Sequence, residues 1–210
     1  MLKIAVLVSG GGTNLQALID AERRGEIANG RLALVVSSRP GVKALDRAEK
    51  AGIPSMVLER RSYASTEAYG DALRDLLLDR DIGLIVLAGF LTILPPSFVR
   101  AFPNKIINIH PSLIPAFCGE GFYGLRVHEE ALRRGVKYTG ATVHFVNEGA
   151  DEGPIILQKP VSVLEYDTPE TLQRRVMEEA EWKLLPLAVS FFCEGRLTVD
   201  DGRVFISGAN

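Results

Sequence analysis

Residues 2–16 read "LKIAVLVSGGGTNLQ". The apolar run is a strand buried on both faces. It enters three glycines, which suit neither a strand nor a helix interior. From Thr13 to Arg24 the residues Leu15, Leu18 and Ile19 then share one helical face. A buried strand, a bare-backbone turn and an amphipathic helix make the opening βα unit of a parallel sheet. That start commits the following chain to right-handed crossovers.

The pattern repeats. Strands are expected at 3–8, 32–37, 55–58, 84–88 and 105–109, alternating with helices at 13–24, 42–51 and 65–79. After residue 110 the rhythm changes. Residues 111–124, with two prolines, three glycines and "AFCGEGFYG", read as a functional loop. A helix at 127–134 follows, then strands at 142–147 and 154–163 around the turn "EGADEG". Thr168–Glu194 reads as one long helix, and "GRLTVDDGRVFI" as a hairpin on an Asp-Gly turn. The expected fold is α/β: a Rossmann-like, mostly parallel twisted sheet with helices on both faces. Its C-terminal part adds antiparallel strands and a long helix.

Charge narrows the function. The net charge is −2 over 210 residues, which offers no basic excess for nucleic acid. The longest apolar run, Ile82–Leu91, is too short to span a bilayer. The first strand begins at the N-terminus without a secretory pattern, and two cysteines, Cys118 and Cys193, make no disulfide framework. A cytoplasmic protein with free thiols is expected.

The glycine loop lacks the third glycine of a nicotinamide fingerprint, since Leu15 stands there. Ser37 and Ser38 occupy the place of its acidic residue, and no Walker lysine follows. A single phosphate on Gly11, Gly12, Thr13 and Asn14 fits such a turn. So does a tight βα turn that needs glycine for packing.

"KIINIHPSLIP" ends a buried strand in Asn108 and His110, which alternation places on one face at the ligand-binding edge of the sheet. Taken alone, a strand-end histidine is more often structural. The later "DEGPI" sets Asp151 in a turn before another strand. Imidazole, carboxamide and carboxylate without a serine or cysteine elbow suit acyl transfer to an amine. The histidine moves protons or holds an oxyanion, the amide donates, and the carboxylate takes a proton or orients water. Cys118 has no base beside it in sequence. No HxxxH, HxxE or CxxC spacing occurs, so no metal is expected.

The stretches "VLVSGGGTNLQALI", "VLAGFLTIL", "IINIHPSLIP", "GATVHFV", "DEGPIILQ" and "EWKLLPL" follow one another in order almost end to end. In these the chain resembles the glycinamide ribonucleotide formyltransferases, folate-dependent enzymes of purine synthesis in the formyltransferase family. The resemblance implies formyl transfer from 10-formyltetrahydrofolate to the amine of glycinamide ribonucleotide. It implies Asn108, His110 and Asp151 as the catalytic trio, with His144 beside them, and Gly11, Gly12, Thr13 and Asn14 as the phosphate site. It implies Glu181 on the ribose, and Thr92, Ile93, Leu94, Val146 and Asn108 around the folate. Thr92 stands where better-known members carry arginine, the 116–126 loop is longer than in short-loop members, and one extra residue separates "RRV" from Glu181. One domain over 1–210 is expected, with a phosphate-binding half at 1–110 and a folate and catalytic half at 111–210. A homodimer is compatible with the sequence. The alternatives are a formyltetrahydrofolate hydrolase, whose relatives carry an extra N-terminal regulatory domain, and a non-catalytic nucleotide-binding module. The module would have no use for the trio. Methionyl-tRNA formyltransferases share the trio but lack the glycine loop.

Overall fold

The structure, a computed structural model, describes residues 1–208. Nine strands alternate with seven α-helices among them: β1 (Leu2–Val8), α1 (Thr13–Arg23), β2 (Gly30–Ser37), α2 (Lys43–Lys50), β3 (Ser55–Val57), α3 (Thr66–Asp79), β4 (Leu84–Leu87), α4 (Pro96–Ala101), β5 (Ile106–His110), α5 (Leu125–Arg134), β6 (Tyr138–Phe145), β7 (Ile155–Ser162), α6 (Pro169–Val176), α7 (Trp182–Cys193), β8 (Leu197–Asp200) and β9 (Arg203–Ile206). One seven-stranded sheet runs in the order β3-β2-β1-β4-β5-β6-β7, and β8-β9 form a separate hairpin. The first five strands are parallel; β6 pairs antiparallel with both β5 and β7.

Period-two alternation splits the core into two faces. Ile4, Val6 and Val8 point toward α1, α2, α5, α6 and α7, through residues such as Leu15, Ala44, Ala131, Leu172 and Leu185. Ala5 and Leu7 point the other way, onto Leu73 and Leu77 of α3 and Phe98 of α4. Both sides of the parallel strands are therefore covered, which is why they read as unbroken apolar runs. The strand order reverses between β1 and β4. Open α/β sheets bind ligands at such a reversal, beyond the carboxyl ends of the strands.

Four expectations need correction. The long helix from Thr168 to Glu194 is instead α6, a π-helical turn at Met177–Glu181, and α7. Pro186 lies inside α7 and has no N–H to donate to the preceding turn. The π turn just upstream closes i→i+5 hydrogen bonds and so holds one residue more than an α turn. β6 begins at Tyr138, four residues before the expected start. At Gly140, inside the strand, a Cβ would lie 2.1 Å from the Lys159 carbonyl oxygen. The glycine is there because β7 comes so close. The six-residue α4 escaped notice because its apolar residues span barely a turn behind a double proline. The fifth strand carries His110 itself, one residue past its expected end.

Candidate active site

Two cavities open at the carboxyl ends of β1, β4 and β5. The first, about 420 Å³, is lined by Gly10–Asn14, the 88–91 turn after β4, Asn108–Pro111, Phe122–Gly124, His128, Asp151, Gln173, Met177 and Glu181. The second, about 220 Å³, is lined by Leu87, Phe90, Thr92–Leu94, Val99, Asn108, His144 and residues 146–151. Phe90, Asn108 and Asp151 border both cavities, where the two meet.

The glycine loop shapes one end of the first cavity. Gly12 is left-handed at φ 71°, and a Cβ on it would lie 2.7 Å from the Ala44 Cβ, so this position tolerates only glycine. Gly11 is different: a Cβ there meets nothing within 4 Å. Gly12 thus packs the turn, while Gly11 leaves open space beside it. Among the described residues no side chain caps α1, and its first turn is free of acid, so its leading N–H groups remain free to donate. The serines that replace a dinucleotide-binding acid are satisfied internally, Ser38 Oγ by Ser9 Oγ at 2.6 Å and Ser37 Oγ by the Arg39 carbonyl at 2.6 Å.

Glu181 lines the same cavity beside the loop. It is buried, and Asn14 Nδ2 donates to its Oε2 at 2.7 Å. Burial pushes its carboxyl up to about 7, with the Asn14 hydrogen bond pulling the other way. The Asn14 side chain is thus committed to Glu181, while its buried Oδ1 has no protein partner.

The catalytic candidates assemble from four segments. Register sets Asn108 of β5 opposite His144 of β6. A bulge between β6 and β7 falls at His144, where the partner register skips a residue. His144 Nδ1 lies 2.8 Å from the Phe145 carbonyl, which only accepts, so that nitrogen carries the proton. His144 Nε2 lies 3.1 Å from Asn108 Nδ2 and 3.5 Å from Asp151 Oδ1. Asp151 sits in a left-handed turn at φ 59°, a conformation aspartate tolerates. The loop N–H of Gly119 donates to its Oδ2 at 2.9 Å, and Asn108 Nδ2 lies 3.4 Å from Oδ1. His110 Nε2 meets the Phe117 carbonyl at 2.9 Å, while its Nδ1 faces Asp151 Oδ2 at 3.5 Å.

These surroundings set the charges. Burial lowers the His110 pKa, outweighing the pull of Asp151 and of the Phe117 carbonyl. Burial raises Asp151, but the hydrogen bond to His144, the nearby His110 and the Gly119 N–H together bring it below the ordinary carboxylate value. The resting pair is a carboxylate beside a neutral imidazole. Burial, Asp151 and Glu152 all raise the Cys118 thiol, which disfavours the thiolate a nucleophile needs.

Every site residue singled out in the sequence borders one of the two cavities. Thr92, Ile93, Leu94 and Val146 line the second with His144, and the others line the first. The Val146 N–H is already spent on the Ile106 carbonyl at 2.9 Å. Leu91 lines the first cavity. Sequence reasoning missed His128, fully buried on α5 beside the first cavity with neither ring nitrogen hydrogen-bonded. Its pKa is pushed down to about 4 by burial and by His110. It also missed Gln173, which α6 brings to the cavity, and the aromatic pair Phe122 and Tyr123. One signal was available, since "LRVHEEAL" places His128 among the apolar positions of its helix.

Residues 2–189 match the family described as formyl transferase. The chain is 41% identical over 208 residues to the phosphoribosylglycinamide formyltransferase of Haemophilus influenzae, covering 99% of this chain and 95% of that protein. It is 42% identical over 203 residues to the trifunctional purine biosynthetic protein adenosine-3 of Bos taurus, where it spans 96% of this chain but only 19% of that one. Among solved structures, glycinamide ribonucleotide transformylase 1 from Symbiobacterium toebii superposes with a TM-score of 0.92 at 46% identity, covering 98% and 94% of the two chains. A formyltetrahydrofolate deformylase from Pseudomonas syringae pv. tomato superposes with a TM-score of 0.86 at 27% identity, over 98% of this chain and 65% of that one.

Proposed function

The chain belongs to the formyl transferase family, and we propose that it transfers a formyl group from 10-formyltetrahydrofolate to the amine of glycinamide ribonucleotide in de novo purine synthesis. The observation that carries this reading is the shared border. Asn108 and Asp151 border both cavities, so two substrates lying one in each would meet at these side chains. The ribonucleotide takes the first cavity, its phosphate on the N–H groups of Gly11, Gly12, Thr13 and Asn14 and its ribose at Glu181. The folate takes the second, between the backbone of Thr92, Ile93 and Leu94 and that of Val146. Since the Val146 N–H is spent, that residue offers the pterin only an acceptor.

The residues then divide the chemistry. The amine attacks the formyl carbon, and the carbonyl oxygen gains negative charge in the tetrahedral intermediate. Asn108 donates to that oxygen, giving up its long 3.4 Å contact with Asp151, while the bond to His144 holds the amide in place. His110 offers Nε2–H as a second donor, the one the Phe117 carbonyl holds in this structure. Asp151, ionised and beside a neutral His110, accepts the proton leaving the amine. Returned through His110, that proton protonates the departing folate nitrogen as the carbon–nitrogen bond breaks. We place the protein in the cytoplasm; among the described residues no helix is long and apolar enough to cross a membrane.

The test is to incubate the protein with 10-formyltetrahydrofolate and follow folate absorbance, with and without glycinamide ribonucleotide. The transferase turns over only with both substrates. Turnover without the amine would make it the hydrolase, and no turnover in either case a binding module.

A further inference from the structure

Gly10, Gly11 and Gly12 face the first cavity, but their oxygens are held from behind. The Ala44 N–H, at the start of α2, donates to the Gly10 carbonyl at 3.2 Å. Arg47, one turn further along α2, donates through Nε to the Gly11 carbonyl at 2.9 Å. In a trans peptide the C=O of one residue and the N–H of the next point in opposite directions. Holding the Gly10 and Gly11 oxygens toward α2 therefore turns the N–H groups of Gly11 and Gly12 away from α2. The left-handed Gly12 adds the backbone bend that makes successive N–H groups converge on an anion.

Arg47 is itself oriented. Its Nη1 donates to Gln16 Oε1 at 2.9 Å, and Gln16 Nε2 donates to Asp20 Oδ1 at 2.9 Å. Neither Arg47 nor Gln16 lines the cavity that the glycines line; both lie on the opposite side of the loop. The guanidinium is thus placed to hold the loop without touching a ligand in that cavity.

We propose that Arg47 is a positioning residue for phosphate binding: it pins the Gly11 carbonyl so that the Gly12 N–H stays aimed at the substrate phosphate, and Gln16 and Asp20 hold the guanidinium to that task. The proposal rests on the reading that the loop takes the ribonucleotide phosphate. Without the pin the Gly11–Gly12 peptide is free to rotate, and the phosphate must reorder it on binding.

The experiment compares glycinamide ribonucleotide with the phosphate-free glycinamide riboside, in the wild-type protein and in Arg47→Met. The riboside is used at concentrations high enough to measure kcat/KM. In the variant the KM for the ribonucleotide rises about tenfold or more, with kcat and the folate KM within about twofold, because the phosphate does not react. The kcat/KM for the riboside stays at its wild-type value. A general structural role for Arg47 would depress both substrates equally, and that result overturns the proposal, as does an unchanged ribonucleotide KM. Should Arg47→Met not fold, Arg47→Lys carries the same comparison: it keeps the stem and the charge but cannot hold Gly11 and Gln16 together in fork geometry. It too must lose ribonucleotide and spare riboside. If the wild-type protein itself does not prefer the ribonucleotide over the riboside, the loop is not the phosphate site, and it is the underlying reading that fails.

Discussion

The glycine loop and the Asn108–His110–Asp151 cluster line one cavity and are built by opposite means. The loop offers backbone groups from consecutive residues, held by the adjacent helices. The cluster offers side chains from β5, β6 and the turn between β6 and β7, held by one another and by nearby backbone: Asn108 by His144, His144 by the Phe145 carbonyl, Asp151 by the Gly119 N–H of the 111–124 loop. Backbone donors suit a group that must be bound and left unchanged. Side chains with shifted proton affinities suit a group whose charge changes during reaction. Damage to the loop should therefore appear in substrate affinity, and damage to the cluster in turnover.

The strongest way to break this division is His110→Ala. It should lower turnover by on the order of 10²–10⁴-fold with the ribonucleotide KM little altered. Steady-state kinetics with both substrates reads this directly, and near-native turnover would remove His110 from the chemistry. Asp151→Asn belongs with it, because a carboxamide cannot take the amine proton. Its expected loss is at least about 10²-fold in kcat. A loss confined to KM would show that Asp151 only shapes the cavity.

Gly11→Val tests the other side. The added side chain meets no protein atom at its Cβ, so the fold should tolerate it while the cavity is crowded. The ribonucleotide KM should rise by ~10-fold or more, with the folate KM and kcat nearly unchanged. If folate affinity fell instead, the two cavities would have to exchange occupants.

Glu181 sharpens the comparison, being a titratable side chain on the binding side. Its folded pKa is raised from 4.5 to about 7. A raised carboxyl contributes its stabilisation below the unfolded value and loses it as pH climbs through the folded one. Between pH 4.5 and about 7 the free protein should therefore lose stability relative to Glu181→Gln, which stays neutral throughout. Thermal melts of both proteins across that window check the sign; parallel curves would mean that Glu181 ionises normally.

The smallest effect is expected at Thr92. It borders the second cavity, where backbone is proposed to read the pterin. Thr92→Ala and Thr92→Arg should each shift folate affinity by less than about tenfold, or about 1.4 kcal/mol, in equilibrium titration. A larger loss in either would put the side chain in contact with the ring.

Local features of the site were legible in the sequence and long-range ones were not. Apolar runs and a glycine turn identify β1, α1 and the loop because each is a short-range pattern. Alternation places Asn108 and His110 on one face for the same reason. It says nothing of which residue lies opposite Asn108, because register is a property of two strands. His144 enters only through the pairing of β5 with β6. Asp151 was readable as a turn residue, but its approach to Asn108 spans 43 positions of chain. His128 was hidden for another reason. On an amphipathic helix its position resembles an ordinary core site, and its two unpaired nitrogens become visible only when the cavity beside it is known. The role of the long 111–124 loop could be inferred from its composition, yet its use of the Phe117 carbonyl and the Gly119 N–H depends on backbone direction, which composition does not encode.

The π turn at Met177–Glu181 has a meaning for how this part of the chain can change. In an uninterrupted α-helix an inserted residue rotates everything beyond it by about 100°, which here would carry either Leu172 and Val176 or Leu184 and Leu185 out of the core. A turn that takes up one residue by widening confines that rotation to itself. The helix on each side keeps its phase, and Glu181, at the end of the widened turn, still faces the cavity. An insertion or deletion between Val176 and Glu181 is thus a mutation this fold can survive, whereas the same event inside α6 or α7 is not. An alignment gap in this region belongs at the π turn, and chains with different residue counts there can present the same carboxylate at the same place.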